Sequence, residues 1–296
     1  MTELIVGLSG HIDHGKTSII KSLTNEFSGT LKEDEVRGMT VDLGIAFLND
    51  KITLIDVPGH QDFIKNMLSG VQSIDLGLLV IAADDGIMPQ TKDHFDILKL
   101  LDVSNIIILI NKIDLVDSDM LELVKLEISD LLVDSKYENA DILEISTIEN
   151  IGIKKLKEKL ENFKCKNKKS SGPFRMPIDR IFSVKGFGTV VTGTVTSGST
   201  KIGNEVKIEP ISKLAKIRGF NTHNSSSENV VVGQRAAINL QNIDKADIKR
   251  GYQLVDKHFF KPVRSIIAKI KTLDDLQKPI KRNQRIRLHL GTAEVI

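Results

Sequence analysis

The stretch Leu4-Ile5-Val6-Gly7-Leu8-Ser9-Gly10-His11-Ile12-Asp13-His14-Gly15-Lys16-Thr17-Ser18-Ile19-Ile20 decides the fold of this chain. It opens on a short apolar run of strand length, and Ile19, Ile20 and Leu23 repeat at helical spacing beyond it. Between the two, a pair of glycines, a lysine and a threonine stand at the spacing of a phosphate loop, in the strand, loop and helix order that such a loop requires. Gly10 and Gly15 allow a tight turn, so that backbone amides can point at phosphate oxygens from a helix N-terminus. The expected phosphate-binding residues are therefore Gly10, His11, Asp13, His14, Gly15, Lys16, Thr17 and Ser18. Lys16 would bring charge to the terminal phosphates and Thr17 a hydroxyl to Mg²⁺. The alternative, an ordinary glycine-rich turn, does not account for the strand and helix on either side.

Outward from this loop, short aliphatic runs at 4–8, 45–48, 52–57, 76–83, 105–110 and 142–146 alternate with amphipathic stretches. In the latter, Phe63, Ile64, Met67, Leu68 and Val71 share one helical face, and Leu121, Val124, Ile128 and Leu131 share another. Parallel strands joined by helices give this pattern, so residues 1–170 are expected to form a doubly wound α/β domain. The apolar periodicity stops at 163–172, where Lys, Asn, Ser and Gly precede Pro173 and suggest a linker. Beyond it, glycine-punctuated β-branched runs at 181–184, 189–195, 205–208, 213–220 and 235–240 predict a small β-barrel over 173–258. A further β segment begins near Val263 and includes the strand-like residues 285–290. Because two strands alone are marginal in water, 259–296 is expected to be an incomplete second β-barrel of a C-terminally truncated chain.

The base is chosen by Asn111-Lys112-Ile113-Asp114, directly after the aliphatic run 106–110 and hence at the carboxyl edge of the sheet, where such folds bind ligands. A carboxylate at Asp114 can accept from the ring NH and exocyclic amine of guanine, which adenine does not present in that arrangement. The Lys112 stem can lie along the base, and Ser146 with Thr147 falls at the next strand end. GTP and GDP are the expected nucleotides. Asp56-Val57-Pro58-Gly59-His60 ends the third strand, with Asp56 near Mg²⁺, Gly59 free to reorient towards the γ-phosphate and His60 placed to orient the attacking water. Upstream, 30–42 has neither helical nor strand periodicity, as suits a switch loop, and Thr40 is the candidate for a second hydroxyl on the metal.

Composition limits the rest. The 296 residues exceed one small domain, and 41% hydrophobic with 27% charged residues is the balance of an ordinary globular chain. The net charge of +2 gives nucleic-acid binding little electrostatic support. The single cysteine, Cys165, excludes an internal disulfide and fits a reducing, cytoplasmic setting. No stretch approaches the ~20 apolar residues of a membrane span, so no membrane partner is expected.

Together the loop, Arg37-Gly38-Met39-Thr40, the 56–60 motif with Gln61-Asp62-Phe63-Ile64-Lys65-Asn66-Met67, and 111–114 resemble the translational GTPases, the family that includes elongation factor Tu. Residues 41–46, 184–193 and 289–295 are similar to its selenocysteine-specific branch. The resemblance covers the whole chain. It implies a GTPase domain followed by β-barrels, GTP hydrolysis, and the ribosome and selenocysteyl-tRNA as partners, delivery being at recoded UGA codons. It also implies an aminoacyl pocket at Asp179, Arg180 and Arg235, where cationic groups would favour an ionised selenol over a hydroxyl. A salt bridge at the barrel edge is the other reading of those three residues. Two departures stand out. Ser146-Thr147 occupies the place of a usual Ser-Ala. The family's complete third domain and winged-helix modules do not follow, so mRNA-hairpin binding is not expected here. A monomer is expected. A carrier of another aminoacyl- or initiator tRNA, and a GTPase that regulates a metabolic enzyme, are the alternative functions.

Overall fold

A computed structural model describes residues 3–24, 44–57, 74–164, 172–184, 186, 188–222, 225–270 and 279–296. The chain divides into two compact units, Met1–Asn167 and Lys168–Ile296.

The first unit is built on strands β1 (Leu4–Gly10), β2 (Gly44–Asn49), β3 (Ile52–Asp56), β4 (Leu76–Ala82), β5 (Asn105–Asn111) and β6 (Asp141–Glu144). They form one sheet in the order β2-β3-β1-β4-β5-β6, in which β2 runs antiparallel to β3 and every other pair is parallel. Helices α1 (Lys16–Thr24), α2 (Pro89–Leu100), α3 (Ser118–Leu132) and α4 (Ile153–Glu161) cover it. Strands buried on both faces must be apolar at every position, which is why β1 and β4 read as continuous runs rather than alternating ones. The pleat then sorts their side chains into two layers. Leu76, Leu78, Val80, Ile107 and Leu109 pack with α1 and α4 through Ile19, Ile20, Leu23, Leu156 and Leu160. Leu79, Ile81, Ile106, Ile108 and Ile110 pack with α2 and α3 through Phe95, Leu98, Val124, Ile128 and Leu132.

Helix α2 is not evident from the aliphatic runs. It begins with Pro89 at its first turn, where a missing N–H costs nothing, and buries Thr91, His94, Phe95 and Leu98 at i, i+3, i+4 and i+7. Two of these four are polar, so the apolar stripe is short. Phe95 and Leu98 supply the anchoring, and Phe95→Ala should cost about 3–5 kcal/mol. Tyr137 closes the far end of this layer, its hydroxyl directed to the carbonyls of Leu98 and Val103.

The second unit comprises β7 (Arg175–Pro177), β8 (Arg180–Val184), β9 (Gly188–Thr194), β10 (Ser199–Lys201), β11 (Glu205–Glu209), β12 (Lys213–Thr222), β13 (Ser225–Ser227), β14 (Asn229–Val231), β15 (Arg235–Gln241) and β16 (Gln253–Asp256). The main antiparallel sheet runs β7-β16-β11-β12-β15-β9-β8, with β13 on β12 and a separate β10-β14 pair. It wraps a single core that includes Met176, Val191, Ile208, Ile217, Ile238 and Leu254. The ends of the sheet approach each other: Asp179 donates its amide to the Thr192 carbonyl, and Arg175 donates to that of Ser197. Gly193 permits this closure, since a Cβ there would lie 2.1 Å from the Pro177 carbonyl oxygen. This is a small β-barrel.

In the tail, β17 (Leu288–Leu290) and β18 (Ala293–Val295) make a two-stranded pair, and the expected strand near Val263 is absent among the described residues. Apolar residues there, Val263, Ile266, Ile267 and Ile270, are exposed. Their burial needs partners that this segment does not supply, so a strand-like sequence carries no strand.

Candidate functional site

The loop leaves β1 at Gly10 and enters α1 at Lys16. Both of its glycines are required. Gly10 has φ +136 and Gly15 φ +91, and side chains there would meet the Val80 carbonyl oxygen and Asn111 Nδ2, each at 2.2 Å. Asp13 also takes a positive φ of 60, a conformation that Asp tolerates better than most residues. Sheet register then delivers the remaining groups. Leu8 pairs with Asp56, which places that carboxylate beside the loop, and Ala82 pairs with Asn111, which places the 111–114 segment across from it.

Lys16 is almost fully buried. Its Nζ donates to the carbonyl of Gly10 at 2.9 Å and to that of His11. Burial lowers its pKa to about 8, opposed by the charges of Asp56 and Asp13. Thr17 Oγ1 donates to Asp56 Oδ2 at 2.6 Å, and Asp56 is fully buried. A hydroxyl and a carboxylate from neighbouring elements, converging next to a lysine, are hard oxygen donors of the kind that Mg²⁺ takes when phosphates complete its shell. Among the described residues no group of three or more His, Cys, Asp or Glu could hold a metal by itself.

His11 and His14 meet edge-on, 5.1 Å between ring centres. His14 is buried at the end of β4, with Nδ1 3.2 Å from the Ala82 amide and 3.3 Å from the Val80 carbonyl, and Nε2 3.6 Å from Asp85. Burial lowers its pKa to about 4, so the ring is neutral and braces the loop rather than offering charge. Ser18, on the first turn of α1, is exposed.

At the base end, Asn111 Nδ2 donates to the His14 carbonyl at 3.0 Å and thereby ties the 111–114 segment to the phosphate loop. Lys112 adopts a left-handed conformation, φ 60 and ψ 34, and its Nζ lies 3.3 Å from Asp84 Oδ2. This turn lets a short 3-10 segment, 113–115, present Asp114. Asp114 Oδ1 is buried and has no hydrogen-bond partner among the described residues. A buried carboxylate oxygen left without a donor is costly, and a ligand with two adjacent N–H groups would relieve it. Ser146 is fully buried, exchanges both backbone hydrogen bonds with Ile151, and accepts from the Glu149 amide through Oγ. Thr147 is half-buried beside it.

The expected site residues Thr40, Gly59 and His60 lie outside the described residues. In the second unit, Asp179 and Arg235 form a two-pronged ion pair at 2.6 and 3.0 Å, each side chain 9% exposed, and Thr192 Oγ1 donates to the same carboxylate. Arg180 opens β8 and is half-buried. The sequence reading did not identify Gln90 and His94, which reach the loop from α2. The Gly10 amide donates to His94 Nδ1 at 2.8 Å, and the Ile12 amide to Gln90 Oε1 at 3.4 Å. Pro89 followed by Phe95 and Leu98 at helical spacing was the available signal for that helix.

Residues 2–165 match the family model described as the elongation factor Tu GTP binding domain, and 188–255 match elongation factor Tu domain 2. The chain is 39% identical to the selenocysteine-specific elongation factor of Desulfomicrobium baculatum, across 99% of this chain and 47% of that protein. It is 34% identical to elongation factor 1-alpha of Methanobrevibacter smithii, across 82% of this chain and 68% of that one. Among solved structures, translation elongation factor SelB from Methanococcus maripaludis in complex with the GTP analogue GPPNHP superposes with a TM-score of 0.86 at 31% identity, covering 100% of this chain and 64% of that chain. The chain spans about half the length of the selenocysteine-specific relative it matches.

Proposed function

Since this chain belongs to the elongation factor Tu family of GTP-binding proteins, we propose that it hydrolyses GTP and carries selenocysteyl-tRNA to the ribosome at recoded UGA codons. The observation that carries the nucleotide part is the buried, unpartnered Asp114 Oδ1, held next to the phosphate loop through Asn111. Guanine would satisfy that oxygen with its ring NH and exocyclic amine, whereas adenine offers no such pair.

In this reading the loop amides from 13 to 18 cradle the phosphates and Lys16 turns from the Gly10 and His11 carbonyls towards them. A nearby phosphate would raise the lysine's lowered pKa and keep it charged. Thr17 and Asp56 would hold Mg²⁺, with Thr40 as the third protein oxygen, and the chemistry supplied by a bound ion would be neutralisation of negative charge on the phosphates. Gly59 would donate its amide to the γ-phosphate and His60 would orient the attacking water. Because catalysis of phosphoryl transfer is mostly positioning and electrostatics, a rigid loop between β1 and α1 is the main requirement on the protein.

For the cargo, Asp179, Arg180 and Arg235 would receive the selenocysteyl group. Two of the five Arg235 donors go to Asp179. The pair as a unit is neutral, and a selenolate would engage the outer edge of the guanidinium together with Arg180. Two measurements test the proposal. Titration with GTP and ATP should give a large preference for GTP. With GTP bound, affinity for selenocysteyl-tRNA should exceed that for seryl-tRNA on the same tRNA body, and equal affinities would refute the selenocysteine assignment while leaving a GTPase.

A further inference from the structure

Two amides of the phosphate loop are held by a helix that belongs to none of the nucleotide motifs. Gln90 and His94 stand four residues apart on α2 and therefore on one face. His94 Nδ1 accepts the Gly10 N–H at 2.8 Å, and Gln90 Oε1 accepts the Ile12 N–H across a longer 3.4 Å. An acceptor at Nδ1 requires the lone pair there and the proton on Nε2. The ring is 2% exposed, and burial lowers its pKa to about 3, which keeps that lone pair available. Phe95 and Leu98, on the same face, lock α2 into the core, so the ring cannot withdraw without moving the helix.

The position of this contact matters. Gly10 is the point where the chain leaves β1 with φ +136, packed against the Val80 carbonyl, and every later residue of the loop takes its direction from there. Gly10 and Ile12 donate to α2, which leaves the amides nearer α1 to serve a ligand. We infer that His94, assisted by Gln90, is a positioning residue that clamps the start of the phosphate loop in its nucleotide-holding shape and thereby slows nucleotide release. This rests on the nucleotide reading above.

The test is stopped-flow release of fluorescent N-methylanthraniloyl-GDP from the parent and three variants, with thermal melting of each. His94→Leu fills the space without an acceptor and strands a buried amide, so release should quicken by about tenfold or more. His94→Asn can return an acceptor oxygen near the Nδ1 position, and its release should stay within about threefold of the parent. Gln90→Ala, at a half-buried site that tolerates truncation, should quicken release by about threefold. Unchanged release in both His94→Leu and Gln90→Ala would overturn the clamp. So would His94→Asn releasing as fast as His94→Leu, because ring packing and not the acceptor would then matter. A parent that does not bind the GDP probe would refute the nucleotide reading itself, a result distinct from either of these.

Discussion

Lowering the pH from 7.5 to 5.0 should destabilise this chain through two histidines, and the size of the effect follows from their burial. His14 and His94 have folded pKa values of about 4 and about 3, both lowered from 6.5 chiefly by desolvation. For His94 the positive charge of Lys16 adds to the shift. The sign is fixed by proton counting. Between the folded and unfolded pKa values the unfolded chain binds more protons, so stability is full above pH 6.5 and falls as the pH drops below it. At pH 5.0 an unfolded histidine is almost entirely protonated while each folded one remains mostly neutral. Linkage then gives a loss of about 2 kcal/mol for each residue, or about 4 kcal/mol for the two together. That is a large part of the stability of an ordinary domain. The assay is urea unfolding at both pH values for the parent and for His94→Asn. Every other titrating group is common to the two proteins, so the difference between their pH-induced losses isolates His94. The variant should lose about 2 kcal/mol less than the parent. Parallel losses would refute the argument and would mean that His94 is accessible to protons in the folded state.

Asp114→Asn should move preference from GTP towards xanthosine triphosphate, by more than about tenfold in the ratio of affinities, because an amide inverts one donor–acceptor contact; undiminished GTP preference in a competition assay would contradict the base-reading role. Gly15→Ala should weaken GDP binding by about tenfold or more, since its Cβ would lie 2.2 Å from Asn111 Nδ2 and force apart the Asn111–His14 link, measurable by calorimetry. Asp179→Ala should cost about 3 kcal/mol in urea unfolding of the barrel, because it leaves the mostly buried Arg235 charge without its carboxylate; a loss under about 1 kcal/mol would mean that the pair is solvated.

The sequence alone was enough for the α/β architecture. Strands that are buried on both faces must be apolar at each position, so 76–82 and 105–110 announce a parallel sheet locally. The phosphate loop and Asn111 to Asp114 are similarly legible because their chemistry lies in consecutive residues. The elements that escaped are of two kinds. Short barrel strands such as Arg175–Pro177 and Gln253–Asp256 owe their existence to partners far away in the chain rather than to their own three or four residues. Helix α2 was hidden because its buried face includes Thr91 and His94, whose polarity blurs the apolar stripe. The tail errs in the opposite sense: Val263 to Ile270 has strand-like composition, yet a strand needs a ladder partner that its own sequence cannot provide.

What only the tertiary structure decided is how the loop is held. Sequence spacing placed Lys16 and Thr17 at a helix N-terminus, but the link from Asn111 to the His14 carbonyl, the pairing of Thr17 with Asp56, and the grip of His94 on Gly10 join residues 97, 39 and 84 positions apart. No local pattern contains such contacts, because they exist only once the parallel register of β1, β3, β4 and β5 brings the strand ends together.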